Sequence, residues 1–271
     1  LVRLVVGLFR PRRTVLGVDV AGTVVAVGQD VSRLQVGDEV FGDLSMPGGR
    51  GGGFAELVVA PERALAVKPS AITFEQAAAA PMAAVTALQA LRAARALEPG
   101  RRVLVLGASG GVGTFAIQIA RAYGAEVTAA CSASKAEVAR ELGAARVVDY
   151  AEEDVLACGE SWDAILGVGG SRRLVDYRAA LASGGTYVMV GGSNRQIFEA
   201  SLWGWLRSTR ERKLSALAAK PSPQDLELVA ELMREGKVRA VIDRRYPLAQ
   251  APEAIEYVAQ GRARGKVVVV M

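Results

Sequence analysis

The pattern of apolar and polar positions divides the chain into three parts. Between residues 14 and 68, short apolar runs alternate with glycines and polar turns, which is typical of β-strands. The candidate strands of this part are Val15 to Val27, the run that follows Gly37, and Phe54 to Val59. Residues 73–76 have the form of a capping box and predict the start of an alanine-rich helix.

The second part, from Arg101 to about Leu214, alternates apolar strands with helical runs. This alternation predicts a doubly wound parallel sheet with helices on both faces, and therefore an α/β fold class. Its candidate strands are 103–106, 126–130, 146–149, 163–168, 185–190 and 213–219. After Pro221, the pattern predicts helices at 224–235 and 252–260 and a terminal strand at 265–270.

The first strand of the second part runs directly into a glycine-rich turn. Small residues stand at Ala108, Gly110 and Gly113, and a backbone that approaches a pyrophosphate closely needs such residues. A helical run and a second strand follow within about 30 residues, as a dinucleotide-binding βαβ unit requires. An ordinary tight turn is the alternative. We predict a nucleotide site that includes Ala108, Ser109, Gly110, Gly111, Val112 and Gly113.

Composition and charge limit the partners of the chain. Hydrophobic residues make up 51% of the 271 positions, enough for a substantial core, and the net charge is +5. The densest basic cluster, Arg207 to Lys213, has no interleaved aromatic residues, so a solvated helix face is favoured there over a nucleic-acid surface. Residues 103–120 carry no charge, but the four glycines among them argue against a membrane span. We therefore expect neither a nucleic-acid nor a membrane partner.

The chain contains no histidine and two cysteines, Cys131 and Cys158. Cysteines placed so far apart cannot form a zinc lobe, and they provide no disulfide framework, which fits a reducing compartment. We interpret both as small apolar fillers. The opening residues lack the pattern of a signal peptide, so a cytoplasmic location is expected. The chain begins with Leu1, which leaves open whether it is trimmed.

Four segments carry a resemblance to a known family: Leu16 to Gly22 with Gly28, Val36 to Val40, Gly100 to Arg121, and Gly261 to Val270. The chain resembles the zinc-free quinone oxidoreductase (ζ-crystallin-like) branch of the medium-chain dehydrogenase/reductase superfamily, although Arg101 departs from its usual pattern. The resemblance implies a GroES-like β domain interrupted by a Rossmann domain, with limits at 1–78, 79–220 and 221–271. Members usually have further residues before the region of Gly17, which leaves open whether the GroES-like domain is N-terminally incomplete.

The resemblance implies an oxidoreductase without zinc. Zinc-dependent relatives have Gly-His-Glu where this chain has Gly17-Val18-Asp19, and valine cannot bind a metal, so we expect no metal. Asp19 is then expected to satisfy local backbone groups or to pair with an arginine. Without a Lewis acid, hydride transfer to a quinone or an α,β-unsaturated carbonyl is favoured over alcohol oxidation. A 2-enoyl thioester or other double-bond reductase, and a catalytically idle NADPH-binding or RNA-binding protein, remain alternatives. No catalytic side chain is predicted.

The residues after the second strand of the βαβ unit favour NADP(H) as the cofactor. No acidic residue stands between Glu126 and Glu137, although NAD-selective sites place one there on the ribose hydroxyls. Ser132 and Lys135 suit a 2′-phosphate through a hydroxyl donor and a positive charge. A helix N-cap for Ser132 and a solvated charge for Lys135 remain the alternatives. By resemblance, Tyr150 also contacts the 2′-phosphate; its alternative is a surface aromatic.

The resemblance adds residues at the nicotinamide end of the cofactor. They are Thr86, Val190 and Gly191, and Gly169 and Gly170 follow the neighbouring strand. From the terminal segment, Lys266 is also expected to reach the cofactor, together with Arg264. Helix packing is an equal alternative for Thr86, and a surface role for Lys266. Rossmann sheets of this superfamily commonly join at an edge strand, so we also expect a homodimer through residues 213–219. Burial under the chain's own helix would give that strand the same apolar alternation.

Overall fold

The computed structural model describes residues 15–45, 52–170, 172–192, 208–209 and 211–271, and contacts group these residues into two units. The first unit contains the described residues up to Met82, together with Lys220–Glu235 and Ile242–Met271. The second contains the described residues from Ala83 to Ala219, together with Gly236–Val241. The domain limits that the resemblance implies stay a prediction.

The first unit begins with a three-stranded antiparallel sheet. Its strands are β1 (Asp19–Thr23), β2 (Glu39–Asp43) and β3 (Leu65–Val67), in the order β1-β2-β3. Helix α1 (Phe74–Ala78) follows, and the predicted capping box is confirmed. The N–H of Gln76 donates to Thr73 Oγ1 at 3.2 Å, and the N–H of Thr73 donates to Gln76 Oε1 at 3.0 Å.

The predicted strand from Phe54 to Val59 is wrong. Residues 54–57 form bends, and Leu57 and Val59 are 73% and 87% exposed. The beginning of the run is tied to a neighbour, because the N–H of Phe54 donates to the carbonyl of Leu16 at 2.9 Å. Alternating apolar residues form a strand only where a neighbour supplies ladder partners. Among the described residues, β1 and β3 pair with β2 and not with this run.

The second unit alternates strands with helices, as predicted. Helix α2 (Pro81–Ala93) leads into it, and its elements are β4 (Arg102–Leu106), α3 (Gly111–Ala122), β5 (Glu126–Cys131), α4 (Ala136–Glu141), β6 (Arg146–Asp149), β7 (Trp162–Val168), α5 (Leu174–Ala179), β8 (Leu181–Val190) and β9 (Lys213–Ala216). The six strands are parallel, in the order β6-β5-β4-β7-β8-β9. The predicted doubly wound sheet is confirmed.

Both faces of this sheet are covered, which explains why its strands are continuous apolar runs rather than alternating ones. Three successive residues of β4, Val103 to Val105, are fully buried. Trp162 of β7, Tyr187 of β8 and Leu214 of β9 belong to one core cluster, and α5 packs against β8 and β9. Leu214 is thus buried within its own unit. The sequence left this open as an alternative to burial at a dimer interface.

Two helices and two strands complete the first unit: α6 (Pro223–Arg234), β10 (Ile242–Pro247), α7 (Ala251–Ala259) and β11 (Lys266–Val270), with β10 and β11 parallel. These bounds confirm the predicted helices and the predicted terminal strand. The short segment between α6 and β10 belongs to the second unit. There, Gln118 of α3 donates through Nε2 to the carbonyl of Arg239 at 2.9 Å and accepts from its N–H at 2.9 Å.

Candidate nucleotide-binding site

The glycine turn after β4 brings strand and helix so close together that two of its positions have no room for a side chain. Gly107 has a φ of +65°, and a Cβ atom there would collide with the carbonyl oxygen of Val168. A Cβ atom on Gly113 would collide with the carbonyl oxygen of Gly107 and would lie 2.7 Å from the Cα of Ala108. Packing within the protein therefore requires glycine at both positions.

Gly110 differs from these two glycines. It has a φ of −83° as the N-cap of α3, and a Cβ atom on it would lie an ordinary 3.5 Å from the carbonyl oxygen of Gly107. Helix α3 has no side-chain cap, and the N–H groups of a first helical turn have no intrahelical acceptors. The turn therefore presents backbone donors at the positive end of a helix dipole, an arrangement that binds anions.

The turn lies where the strand order of the sheet reverses. From β4 the chain adds β5 and then β6 on one side, and it then crosses to β7 on the other side of β4. Gly107 follows β4 and Gly169 follows β7, so two glycines stand at adjacent carboxyl ends. Ligands of open parallel sheets bind outside the carboxyl ends at such a switch point. The sequence predicts the turn, and the sheet order places it at the switch point.

The ends of β5 and β6 bring further predicted cofactor residues to the same edge. Cys131 and Asp149 form the last pair of the β5–β6 ladder, so the two strands lead directly to Ser132, Lys135 and Tyr150. Ser132 has the backbone position of an N-cap, but its side chain makes no cap hydrogen bond, and its Oγ lies 3.3 Å from Ser134 Oγ. Tyr150 is 66% exposed.

Asp149 is a residue of this edge that sequence reasoning missed. Its Oδ2 accepts from the N–H of Ala133 at 3.1 Å, and its Oδ1 accepts from the N–H of Ala151 at 3.0 Å. The signal in the sequence is an aspartate at the end of an apolar strand, which is typical of an Asx-turn to the residue two positions on. The bond to Ala133 has no such local signal, because it depends on the pairing of β5 with β6.

The end of β8 completes the edge. Val168 and Val190 form the last pair of the β7–β8 ladder, and the N–H of Gly169 donates to the carbonyl of Val190 at 3.3 Å. Gly191 follows with a φ of +68°. The structure thus brings residues 169–170 and residues 190–191 together. Thr86 belongs to helix α2 rather than to a strand end and is 9% exposed.

Lys266, the one predicted cofactor residue of the first unit, forms an ion pair with Asp19. Lys266 Nζ lies 3.2 Å from Asp19 Oδ2, and Asp19 Oδ1 accepts from the N–H of Met82 at 2.9 Å. Burial raises the pKa of Asp19, and the charge of Lys266 opposes this shift. The expected arginine partner is therefore wrong, and the backbone group that Asp19 satisfies is distant in the sequence, because tertiary contacts bring Lys266 and Met82 to β1.

Both cysteines are free thiols. Cys131 is 1% exposed, which agrees with its interpretation as an apolar filler. Cys158 is exposed, and its Sγ donates to the carbonyl of Val155 at 3.2 Å. The filler interpretation is wrong for Cys158, because this residue lies in the loop before β7 and not within a packed layer.

A cavity of about 400 Å³ lies elsewhere in the second unit, around the amino ends of β7 and β8. Its polar lining residues include Glu160, Ser161, Ser183 and Arg212. None of the predicted cofactor residues lines it, and it lies at the strand ends opposite to the glycine turn. We therefore do not assign the nucleotide to this cavity.

Two curated relatives establish the family. The chain is 37% identical over 281 residues to the Mus musculus protein named "NAD(P)H oxidoreductase RTN4IP1, mitochondrial", covering 94% of this chain and 69% of that protein. It is 35% identical over 276 residues to the Arabidopsis thaliana "Chloroplast envelope quinone oxidoreductase homolog", covering 96% and 82%. The chain belongs to the quinone oxidoreductase branch of the medium-chain dehydrogenase/reductase superfamily. The resemblance stated from the sequence segments is confirmed.

Family models and a solved structure agree with this membership of the quinone oxidoreductase branch. The model described as "Alcohol dehydrogenase GroES-like domain" matches residues 4–70, and the one described as "Zinc-binding dehydrogenase" matches residues 142–269. The solved quinone oxidoreductase from Coxiella burnetii is 31% identical, with a TM-score of 0.84 over 94% of this chain and 79% of that chain. The predicted fold class, a Rossmann sheet with a GroES-like domain, is confirmed.

The description of one family model includes zinc, but the present chain has no histidine. In the part of the chain that the structure describes, no group of three or more cysteine, aspartate or glutamate residues is placed to hold a metal ion. Over the same residues, no helix combines the length and the apolar character that a membrane crossing needs.

Proposed function

We propose that the chain is an NADPH-dependent oxidoreductase that transfers hydride to a quinone or an α,β-unsaturated carbonyl without zinc. The observation that carries this proposal is the glycine turn at the switch point of the parallel sheet. Its backbone donors suit a pyrophosphate, and Gly110 has no side chain that would keep the ligand from the backbone. The names of the relatives, which include NAD(P)H and quinone, support the same class of reaction.

The preference for NADPH over NADH rests on the ends of β5 and β6. Ser132 and Lys135 offer a hydroxyl donor and a positive charge, and Tyr150 is accessible on the neighbouring strand end. Hydrogen bonds to a charged group contribute about 1.5–3 kcal/mol each. The sequence between Glu126 and Glu137 supplies no acidic residue that would hold the free ribose hydroxyls of NADH instead.

Bound NADPH supplies the hydride in such a reaction, and the residues of the chain bind and orient it. Ala108 to Gly113 would hold the pyrophosphate, and Val190 and Gly191 would lie at the carboxamide. Thr86 and Lys266 are further proposed contacts, the latter in its ion pair with Asp19. A quinone or an enone delocalises the charge that hydride delivers, so the reaction does not need a Lewis acid. No side chain is proposed as the proton donor, and solvent can supply the proton.

Binding and turnover test the proposal directly. Titrations followed by nicotinamide fluorescence should show tighter binding of NADPH than of NADH, and NADPH should be oxidised by quinones or enones. Equal affinity for the two nucleotides would contradict the cofactor assignment. Turnover of 2-enoyl thioesters alone would favour a double-bond reductase, and binding without any turnover would indicate an idle NADPH-binding protein.

Zinc independence is tested on the same reaction. Activity on a quinone or an enone should survive exhaustive chelation, and elemental analysis should find no stoichiometric zinc. The reason is the shortage of ligands: no histidine, and valine at position 18 where a ligand is needed. One tightly bound zinc per chain, with activity lost on its removal, would overturn this part of the proposal.

A homodimer through β9, the last strand of the described sheet, is a further part of the proposal. Leu214 does not offer its backbone at this edge, because its N–H donates to Ser208 Oγ at 3.0 Å and its carbonyl accepts from the same hydroxyl at 3.4 Å. The N–H of Leu217 donates to Met189 of β8, so by alternation the N–H of Ala216 points away from β8. A partner strand would bind at Ala216.

Substitution at Ala216 tests the dimer at its outward-pointing N–H, with thermal unfolding as a check because Ala216 packs against the core cluster. Proline is tolerated on an edge strand whose N–H points outward, so Ala216→Pro should fold and should shift the protein towards a monomer in light scattering. Leu214→Asp is unsuitable because it would place a charge in the core cluster. The unsubstituted chain should have about twice the monomer mass of 28.4 kDa, and a monomer at micromolar concentration would refute the dimer.

The cytoplasmic location also stays a proposal. It rests on the two unpaired cysteines, which fit a reducing compartment. The names of two relatives place those proteins in the mitochondrion and at the chloroplast envelope. Cell fractionation with antibody detection would test it, and recovery in an organelle fraction would contradict it.

A further inference from the structure

Two separate turns carry the residues that the proposed function assigns to the 2′-phosphate, and one side chain joins them. Ser132 and Lys135 follow β5, whereas Tyr150 follows β6. We infer that Asp149 is a positioning residue for NADPH selectivity, because its carboxylate holds these two turns in one arrangement. This inference rests on the proposed preference for NADPH.

The geometry at the end of the β5–β6 ladder gives Asp149 this position. Cys131 and Asp149 are the last ladder pair, and beyond it the N–H of Tyr150 reaches the carbonyl of Cys131 at a long 3.4 Å. The carboxylate then supplies two shorter bonds, to the N–H of Ala133 at 3.1 Å and to that of Ala151 at 3.0 Å. One side chain thus closes the turn on each strand.

The bond to Ala133 fixes the donors of the first turn. Ala133 begins a 3₁₀ turn that ends at Lys135, whose N–H donates to the carbonyl of Ser132 at 2.9 Å. Within this turn the hydroxyls of Ser132 and Ser134 lie 3.3 Å apart. The N–H of Ala133 is a first-turn donor without an intrahelical acceptor, and the carboxylate of Asp149 accepts from it. Loss of this bond would release the turn that presents Ser132 and Lys135.

Charge alone predicts the opposite behaviour. A carboxylate close to a phosphate repels it, so removal of the negative charge would strengthen NADPH binding if Asp149 acted only as a charge. If Asp149 instead bound the ribose hydroxyls, as acids of NAD-selective sites do, its removal would weaken NADH binding the most. The positioning role alone requires that removal of the carboxylate weakens NADPH binding selectively.

The test compares Asp149→Asn with Glu152→Gln. The two backbone bonds go to different carboxylate oxygens. An asparagine keeps the size of the side chain but has an NH₂ donor in place of one oxygen, so one of the two bonds is lost. Glu152 is an exposed acid of the same turn, and its replacement removes the same charge without touching the two bonds. Dissociation constants for NADPH and NADH are measured by fluorescence titration, with circular dichroism and thermal unfolding as checks of the fold.

Asp149→Asn should weaken NADPH binding about tenfold, the scale of one charge-assisted bond, and NADH binding by less than about twofold. Glu152→Gln should leave both constants within about twofold. An unchanged ratio, tighter NADPH binding, or a selective loss of NADH binding in Asp149→Asn would overturn the inference. If the unsubstituted protein does not prefer NADPH, the proposed cofactor preference is wrong, and the inference about Asp149 is wrong with it. If the unsubstituted protein prefers NADPH and Asp149→Asn keeps that preference, only the inference about Asp149 is wrong.

Ala133→Pro provides a second variant if Asp149→Asn does not fold. Ser132 has φ −74° and ψ 152°, which suits a residue before proline, and proline is favoured at the first position of a helical turn. This variant removes the donor of the Ala133 bond and leaves the charge of Asp149 in place. It should also lower the preference for NADPH over NADH. A preference equal to that of the unsubstituted protein would contradict the positioning role.

Discussion

The rings of Tyr177 and Tyr187 stack 8° from parallel with their centroids 4.2 Å apart, but their hydroxyls have different surroundings. Tyr177 Oη accepts from the N–H of Arg172 at 3.1 Å, whereas the buried Tyr187 Oη has no partner at hydrogen-bond geometry among the described residues. Burial raises the pKa of Tyr187, so its phenol stays protonated in the folded protein. A buried hydroxyl without a partner lowers stability.

Removal of each hydroxyl should therefore have opposite effects on the free energy of unfolding. Tyr187→Phe should raise it by about 1 kcal/mol, and Tyr177→Phe should lower it by about 1 kcal/mol because the N–H of Arg172 loses its acceptor. Urea unfolding measures both variants against the unsubstituted protein. A clear loss of stability in Tyr187→Phe would mean that the hydroxyl has a partner such as a bound water.

Substitutions at two glycines of the turn should affect nucleotide binding and protein stability separately. From the sequence, Gly110 and Gly113 are expected to behave alike, but a Cβ atom collides with backbone only at Gly113. Gly110→Ala should weaken NADPH binding at least about tenfold with little change in melting temperature, since its methyl group enters the space proposed for the pyrophosphate. Gly113→Ala should lower the melting temperature.

Gly28→Ala is the control for both variants, because no atom of the described residues lies within 4 Å of a Cβ atom there. It should change neither the NADPH affinity nor the melting temperature. Undiminished binding in Gly110→Ala would show that the nucleotide does not lie against this part of the turn.

Gln118 should be important for the stability of the second unit. Its amide is 5% exposed and pairs with both backbone groups of Arg239. Gln118→Leu removes both of these part-buried hydrogen bonds, at a cost of about 0.5–1.5 kcal/mol each. Thermal and urea unfolding measure the loss, and Gln29→Leu at an exposed position is the control. A change below about 0.5 kcal/mol, the range of ordinary surface substitutions, would contradict the role of this contact.

The two thiols should differ in reactivity. Burial raises the pKa of Cys131, and the charge of Asp149 adds to this shift, so at pH 8 little thiolate forms there. A thiol reagent should modify one cysteine in the folded protein and two after unfolding. Cys158→Ser should abolish the modification of the folded protein. Fast modification of a second thiol under native conditions would show that β5 opens at its end.

Asp19 gives a prediction for the pH dependence of stability. Its pKa in the folded protein is raised above the ordinary value of 3.8, so the folded state holds this proton more tightly than the unfolded chain does. The stabilisation is complete below pH 3.8 and is lost as the pH rises through the folded pKa. Relative to Asp19→Asn, the unsubstituted protein should therefore lose stability as the pH rises above 4. A gain over this range would mean that the ion pair with Lys266 outweighs burial.

The sequence determined those features whose causes are local. The capping box at Thr73 and Gln76 needs only two residues three positions apart. The strand and glycine turn at 103–113 need an apolar run followed by residues without side chains. The parallel sheet followed from the alternation of strands and helices, since parallel neighbours need crossover connections. These elements could be predicted because their formation depends on residues close together in the sequence.

Tertiary structure alone decided the features that depend on distant partners. The apolar alternation at 54–59 did not form a strand, because a strand needs a neighbour and the sequence does not say which one is present. Asp149 reaches Ala133 only through the pairing of β5 with β6, and Gln118 meets Arg239 across 121 positions. Such contacts have no periodic signal, because hydrogen bonds and ion pairs are set by position in space, and folding brings the residues together.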